Sequence, residues 1–327
     1  MRLATFAAGT LLASTAWAET PVLTVYTYDS FVSDWGPGPA VEAAFEAVCG
    51  CDLVFVPAGD GAALLARVRL EGARTEADVV LGLDTSLTAA AADSALFRPV
   101  AVEAAFDLPV VWEDDYFVPY DWGYFAFVHD TTRLADPPGS FEELAASDLK
   151  IIIQDPRSST PGLGLVMWVE AAYGDRAAEI WAGLADNIVT VTPGWSEAYG
   201  LFLQGEADMV LSYTTSPAYH LIAEADATKA AAPFAEGHYL QVEVAGMIAS
   251  TDEPELAEDF LRFIVGEAFQ RVIPTTNWMY PAVTPPEGLP AGFDTLIVPG
   301  KALLFAPGEA AAVRDRAIET WRAALAR

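Results

Sequence analysis

Apolar residues along the chain follow two spacings, one typical of strands and one typical of helices. Val22–Thr27 is rich in β-branched and aromatic residues and predicts a strand. Pro39–Val48 has apolar residues at helical spacing and a proline in the favoured first turn. A strand at Leu53–Val56, a helix at Ala62–Leu70 and a strand at Ala77–Gly82 follow. This order predicts a parallel sheet with crossover helices.

A second group of elements follows in the rest of the chain. The predicted strands are Tyr124–Val128, Lys150–Gln154, Ile188–Thr192, Asp208–Ser212 and Tyr239–Ala249. The predicted helices are Gly162–Tyr173, Ala177–Ala185, Ser196–Gln204, Glu255–Gly266 and Pro307–Ala326. No low-complexity linker separates the groups, so we expect two α/β lobes joined by ordered strands. Ligands bind at the carboxyl ends of strands in such sheets, which places the site in the cleft between the lobes.

The N-terminus has the organisation of a secretory signal. Arg2 precedes an uncharged apolar stretch, and residues 16–18 (Ala-Trp-Ala) have the small-x-small pattern of a cleavage site. The alternative is a buried N-terminal helix. The stretch is too short to span a bilayer. We expect cleavage before Glu19 and a soluble mature protein of two domains, each of about 150 residues.

The net charge and the cysteine content limit the kinds of ligand and partner that we expect. The net charge of −29 disfavours nucleic acid and anionic membranes as partners and would attract a cationic solute, although an acidic proteome or a salty habitat also explains it. The cysteines are Cys49 and Cys51, flanking Gly50. An oxidising compartment favours a local disulfide over free thiols. A metal site would need more ligands, and the nearest histidine is His129.

Two segments carry polar groups where helices begin. Asp60 precedes a predicted helix, so it is either an N-cap or a ligand contact. Ser159 and Thr160, with Ser158 and Arg157 before them, stand at the start of another helix. Free N–H groups and the helix dipole make such a start an anion-binding arrangement. Plain capping by one hydroxyl is the alternative.

Aromatic residues are concentrated in predicted loops at the ends of elements. They are Tyr28, Trp35, Trp195, Tyr219 and Trp278, and Tyr213 follows a strand nearby. A single one would indicate only packing. Together they indicate a cleft for a flat, cationic ligand, since aromatic faces stack on rings and attract cations.

Nine segments strongly resemble the bacterial periplasmic thiamine-binding proteins, as does the Cys-x-Cys sequence. They are Leu23–Phe31, Asp34–Pro39, Asp78–Asp84, Gln154–Arg157, Ser159–Gly164, Gly194–Phe202, Leu211–His220, Glu236–Val244 and Asn277–Pro281. The resemblance implies the type II periplasmic binding protein fold, in which each lobe is a mixed, mainly parallel sheet flanked by helices. The implied division is a signal peptide at 1–18, a first lobe at 19–120 plus about 240–285, and a second lobe at 121–239 plus about 286–327.

The resemblance also implies a function and a site. A monomeric periplasmic receptor without catalysis or cofactor would deliver thiamine, thiamine monophosphate or thiamine pyrophosphate to the membrane permease of an ABC importer. Asp60 and the Gly61 backbone would bind the aminopyrimidine, and the six aromatic residues would form or adjoin the walls. Ser159 and Thr160 would receive the phosphate.

Two other functions stay open. A thiaminase-like enzyme needs a cysteine nucleophile activated by a base, and the two cysteines near a helix end do not fit that role. His129, His220 and His238 lie in no catalytic motif. A receptor for another solute, either a polyamine or ferric iron held by Tyr213, Tyr219 and His220, is the second alternative.

Overall fold

The computed structural model describes residues 20–326, and the predicted signal peptide lies outside this part of the chain. The strands are β1 Val22–Thr27, β2 Asp52–Pro57, β3 Val79–Asp84, β4 Phe117–Asp130, β5 Ile151–Gln154, β6 Ile188–Thr192, β7 Met209–Tyr213, β8 Lys229–Ala231, β9 His238–Met247, β10 Tyr280–Pro281 and β11 Ala302–Leu303. The α-helices are α1 Gly38–Cys49, α2 Gly61–Glu71, α3 Thr88–Ala92, α4 Phe141–Ala145, α5 Thr160–Tyr173, α6 Ala177–Leu184, α7 Trp195–Leu203, α8 Ser216–Ala223, α9 Pro254–Phe263, α10 Glu267–Gln270, α11 Ile273–Thr276 and α12 Pro307–Leu325. Short 3₁₀ turns occupy Gly72–Arg74, Gly174–Arg176 and Ala291–Thr295.

The strands follow the order β2-β1-β3-β9-β4-β7-β5-β6. β1 pairs in parallel with β2 and β3, and β5 pairs in parallel with β6 and β7. β9 is antiparallel to both β3 and β4, and β4 is antiparallel to β7. The short strands β8 and β10 add to β4, and β11 adds to β9. The parallel β-α-β-α-β arrangement predicted for the first part of the chain is therefore confirmed.

The long strands β4 and β9 carry the chain between two lobes. Residues 117–124 of β4 pair with β9 beside β1, β2 and β3, whereas residues 125–129 pair with β7 beside β5 and β6. The sequence predicted only Tyr124–Val128 as a strand, because Pro119 and Gly123 interrupt the apolar pattern. All but one of the residues in positions 117–129 are buried, so tertiary packing overrides the local signal. The exact division between the lobes stays a prediction.

Each lobe has its own aromatic packing. Phe45 meets Phe260 edge to face in the first lobe, at a centroid distance of 5.1 Å, and Phe141 meets Trp168 at 4.8 Å in the second. Helix α12 packs on α5 and α6 and also reaches α3, burying Trp321. Every residue of β9 is buried, as expected for a central strand covered on both faces. Within residues 20–326, no helix is long and apolar enough to cross a membrane.

Two segments differ from the sequence-based expectation. The stretch after β7 was expected to be a loop, but it forms α8, with Pro217 in the first helical turn, where its missing N–H costs nothing. Helix α9 was expected to reach Gly266 but ends at Phe263, and Gly266 precedes the short helix α10 instead. Boundaries of this kind depend on tertiary contacts that local spacing does not contain.

Two helical glycines give a matched stability test. A β-carbon on Gly164 of α5 would overlap the Phe125 ring, whereas one on Gly200 of α7 would meet nothing within 4 Å. We expect Gly164→Ala to destabilise the protein by about 1–3 kcal/mol through overpacking. Gly200→Ala should stabilise it by about 0.5–1 kcal/mol through helix propensity. Urea unfolding measures both, and destabilisation of equal size in the two variants would contradict this packing.

Candidate ligand-binding site

A cavity of about 470 Å³ lies between the lobes, beside the strands that cross from one to the other. Its lining includes eight of the ten residues predicted from the sequence: Tyr28, Trp35, Asp60, Thr160, Trp195, Tyr213, Tyr219 and Trp278. Gly61 and Ser159 adjoin it through hydrogen bonds to lining residues. The structure thus brings the predicted set together, and the contact of each residue with a ligand stays a prediction.

One wall of the cavity is a stack of rings. Trp195 is the first residue of α7, and its indole stacks on Tyr199 one helical turn later, with centroids 5.0 Å apart and planes at 26°. Tyr199 stacks in turn on His220, at 5.8 Å. The Trp195 indole N–H donates to Ser212 Oγ at 2.8 Å. This wall is fixed before any ligand arrives, because every ring has a packed neighbour. Trp35, 52% exposed, lies 6.2 Å from Trp195 at the rim.

A second aromatic wall, next to the first, pairs Tyr219 with Trp278 edge to face at 5.3 Å, and the Tyr219 ring lies 4.8 Å from the His220 ring. Tyr219 belongs to α8 and not to a loop, which corrects the sequence-based expectation for this residue. Its hydroxyl donates to Glu224 Oε1 at 2.9 Å. Trp278 has a backbone φ of 55°, a left-handed conformation that costs about 1–2 kcal/mol for a residue with a β-carbon. Such strain is typical of residues held in place for function.

Asp60 connects the lobes and does not cap its own helix. It occupies the N-cap position of α2, yet its side chain makes no capping hydrogen bond. Its Oδ2 accepts instead from the Ser159 hydroxyl at 2.8 Å and from the Trp195 backbone N–H at 3.3 Å, both in the second lobe. Withdrawal from bulk water raises the pKa of the Asp60 carboxyl to about 7, although these two hydrogen bonds lower it.

The neighbouring backbone closes the same seam. The Gly61 N–H donates to Thr160 Oγ1 at 3.1 Å, and the Ala63 N–H donates to the Ser158 carbonyl at 3.1 Å. A β-carbon on Gly61 would lie 2.6 Å from Thr160 Oγ1, so only glycine permits this approach. The two lobes are therefore in contact along one side of the cavity.

The hydroxyl groups of the serines before α5 are already hydrogen-bonded within the protein and do not form a free anion site. Ser158 donates to the Pro193 carbonyl at 2.6 Å, and Ser159 donates to Asp60. Arg157 lies outside and pairs with Asp155 at 2.8 Å. The anion at the start of α5 is therefore the Asp60 carboxylate, and a phosphate there would have to replace it on Ser159.

The lining residues that sequence reasoning missed include Tyr199, Glu243 and Asn277. Glu243 accepts from the Tyr28 hydroxyl at 3.1 Å, and Asn277 accepts from the same hydroxyl at 3.1 Å. The available signal for Glu243 was an acidic side chain within the predicted strand Tyr239–Ala249, in which Gln241 is the other strongly polar residue. No local feature of the sequence marked Tyr199 as a lining residue. It lines the cavity because it lies one helical turn after Trp195.

Within residues 20–326, the cysteines and histidines do not form a pair of nucleophile and base. Cys49 and Cys51 form a disulfide at the end of α1, with Cα atoms 5.2 Å apart. The ring nitrogen Nδ1 of His129 pairs with the Leu134 carbonyl, and that of His238 with the Phe125 carbonyl. His220 pairs with Tyr199 and Glu224. Both ring nitrogens of His220 are thereby engaged in holding the aromatic wall.

Two lobes joined by shared strands, with a cavity between them whose lining includes seven aromatic residues, define a ligand-capturing binding protein of the hinged type. The chain belongs to the bacterial extracellular solute-binding proteins, whose family model matches residues 17–271. The two-lobed α/β fold predicted from the sequence is confirmed by this family and by the solved structure described next.

Near full-length relatives carry a more specific description. A protein of Salmonella typhimurium described as a thiamine-binding periplasmic protein is 56% identical over 320 residues, 97% of each chain. The Escherichia coli protein of the same description is 56% identical over 310 residues, 94% of each chain. A solved structure described as a periplasmic thiamin binding protein superposes with a TM-score of 0.92 at 55% identity, covering 94% of this chain and 97% of its own.

The strained backbone of Trp278 generates a prediction. Trp278→Gly and Trp278→Ala both remove the indole, but only glycine adopts the left-handed conformation freely. We expect the glycine variant to be more stable than the alanine variant by about 1 kcal/mol. Urea unfolding of the two variants measures the difference, and an alanine variant of equal or greater stability would show that the backbone is not strained there.

Proposed function

We propose that this protein captures thiamine, and also thiamine monophosphate and thiamine pyrophosphate, and delivers them to the permease of an ABC importer. The observation that carries the proposal is the cavity itself: among the described residues, its lining combines aromatic side chains with the carboxyl groups of Asp60 and Glu243 and includes no basic side chain. The near full-length relatives described as thiamine-binding support the same ligand.

The chemistry of thiamine suits this cavity. Thiamine joins a flat aminopyrimidine to a positively charged thiazolium ring. Aromatic side chains hold flat rings by stacking, and each cation–π contact adds about 0.5–2 kcal/mol. The cavity volume of about 470 Å³ lies within the usual range for small-molecule sites. Asp60 and Glu243 supply acceptors for the amino group and compensation for the positive charge.

The proposed location is the periplasm. A signal peptide at residues 1–18 would direct export, and the Cys49–Cys51 disulfide is typical of an oxidising compartment. A single receptor molecule closing around one ligand would then dock on the permease. Mass spectrometry of the exported protein should find Glu19 at the N-terminus.

Binding without catalysis is part of the proposal. A thiaminase-like reaction needs a thiolate nucleophile beside a base. Both cysteines are joined to each other at the end of α1, and neither lines the cavity. Incubation with thiamine should therefore leave the vitamin intact, and chromatographic detection of free pyrimidine or thiazole would contradict this.

Ferric iron is the second candidate solute, because His220, Glu224 and Asp226 present ligand atoms within 4.8 Å of one another. However, His220 already pairs with Tyr199 and Glu224, and Asp226 pairs with Lys229 at 3.1 Å. A polyamine is also a cation, but it has no flat ring to stack on the aromatic side chains. Iron bound through Tyr213 or Tyr219 would give a tyrosinate colour, so a colourless protein after incubation with ferric citrate would count against an iron site that includes these tyrosines.

Removing either aromatic wall should weaken thiamine binding without unfolding the protein. We expect Trp195→Ala and Tyr219→Ala each to raise the Kd for thiamine by at least about tenfold, since each loses a stacking face and a cation–π contact. Tyr116→Ala, whose ring is partly buried but does not line the cavity, is the control. Calorimetric titration gives the Kd values, and unchanged affinity in both wall variants would refute the site.

Ser159→Ala separates two roles of one hydroxyl. If the start of α5 receives the phosphate, the variant should lose more affinity for the two phosphates than for thiamine, by about tenfold. Equal losses for all three ligands would instead assign Ser159 to holding the lobes together through Asp60.

A further inference from the structure

Three carboxylates lie in a row across the strands that join the lobes. Asp84 of β3 is directly opposite Glu243 of β9, and Glu243 is directly opposite Asp121 of β4. Residues directly opposite in antiparallel strands share a face, with β-carbons about 5 Å apart. Asp84 and Asp121 are fully buried, and Glu243 is 6% exposed. Among the three, only Glu243 lines the cavity.

Hydrogen-bond donors are distributed unevenly along this row. Glu243 accepts from the Tyr120 hydroxyl at 2.7 Å, from the Tyr28 hydroxyl at 3.1 Å and from Gln241 Nε2 at 2.8 Å. Asp121 accepts once, from Asn277 Nδ2 at 2.6 Å. The other Asp121 oxygen and both Asp84 oxygens have no hydrogen-bond partner within residues 20–326. Glu243 is therefore the member of the row that is best solvated as an anion.

The positive charge that would normally accompany such a row is missing from the described part of the chain, where no Lys, Arg or His pairs with any of the three carboxylates. Three buried anions without a cation would be very costly. The neighbouring titratable groups from other elements, Tyr28, Asp60 and Tyr213, are acids too.

Protonation of some of these carboxyl groups would reduce the negative charge of the row and provide the missing hydrogen-bond donors. Burial raises the pKa of Asp121 well above its usual value, and the negative charge of Glu243 raises it further. Burial, followed by the charge of Glu243, raises the pKa of Asp84 to about 7. Burial also raises the pKa of Glu243, against the hydrogen bonds from Tyr120 and Tyr28. Because Glu243 has three hydrogen-bond donors and Asp121 has one, we place the charge of this pair on Glu243 and the proton on Asp121.

We propose that Glu243 selects a positively charged ligand, acting as the fixed counter-charge in the cavity, and that an arriving cation releases a proton from the Glu243–Asp121 pair to solvent. This inference rests on the proposed function, since it concerns the recognition of the positive charge of thiamine. The binding step forms and breaks no covalent bond in the ligand, and the proton passes to buffer.

The sign of the pH dependence follows from linkage. A cation stabilises the ionised pair, so it lowers the proton affinity of the pair, and binding releases protons. Affinity for a cation therefore falls as the pH is lowered through the range in which the pair takes up its proton. Affinity for a neutral ligand of the same shape has no such dependence.

The direct test uses two ligands that differ only in charge: thiamine, and the isosteric analogue with carbon in place of the charged thiazolium nitrogen. We expect wild-type protein to prefer thiamine by at least about tenfold. Glu243→Gln, a nearly isosteric change, should remove that preference by weakening thiamine binding while leaving the neutral analogue within about threefold. Circular dichroism confirms that the variant is folded.

Tyr120→Phe keeps the test decisive if the glutamine variant fails to fold. Tyr120 is fully buried and does not line the cavity, and it donates the shortest hydrogen bond to Glu243. Its loss should move the midpoint of the pH dependence of thiamine affinity upward between about pH 5 and about pH 8, with the loss largely recovered at the upper end. A loss of the same size at every pH would overturn the positioning role.

The outcomes separate this inference from the proposed function. Equal affinity of wild-type protein for the two ligands, or equal losses of both ligands in Glu243→Gln, would overturn the selection by charge while thiamine binding stands. A preference for the cation that Asp60→Asn abolishes and Glu243→Gln leaves intact would also overturn it. No thiamine binding by wild-type protein would refute the proposed function itself. Calorimetry in buffers of different ionisation enthalpy should show proton release with thiamine and none with the analogue.

Discussion

The pairing of β4 with β9 is the constraint on which the rest of the molecule depends. These two strands run antiparallel from one lobe into the other, so the same hydrogen bonds that build the sheet also join the lobes. They place Asp121 and Glu243 opposite one another at the crossing, where the cavity begins. Because paired strands join the lobes, we expect lobe motion to bend or twist these strands.

The seam between the lobes is built from few and specific contacts. Asp60 accepts from Ser159 and from the Trp195 backbone, and the Gly61 N–H donates to Thr160. Because burial raises the pKa of Asp60, ionisation of its carboxyl as the pH rises opposes this contact between the lobes. A ligand can shift a receptor from the open to the closed state only if the two states differ little in free energy. Few contacts between the lobes are therefore suited to a receptor.

The sequence predicted β1, α1, β2 and α2 to within one residue at each end. It failed at β4, where Pro119 and Gly123 break the apolar pattern although the strand is central and buried. It also failed at α8, since Tyr219 was expected in a loop and lies in this helix. In each case burial against a distant part of the chain decides the conformation, and a single sequence does not contain that partner.

The sequence predicted many residues of the candidate site, but not the hydrogen bonds that connect them. Aromatic residues at the ends of elements identified the walls, and the structure brings them around one cavity. The partner of Asp60 could not be predicted, because Ser159 lies 99 residues away along the chain. Glu243 was also missed, since an acidic residue within a strand gives no local indication of the three donors around it.

Titration of the mature, ligand-stripped protein with thiamine in a calorimeter tests the central claim most directly. We expect one molecule of thiamine to bind per chain, with release of protons and with the vitamin recovered intact. A folded, empty protein that gives no heat with thiamine or with either of its phosphates would contradict the account.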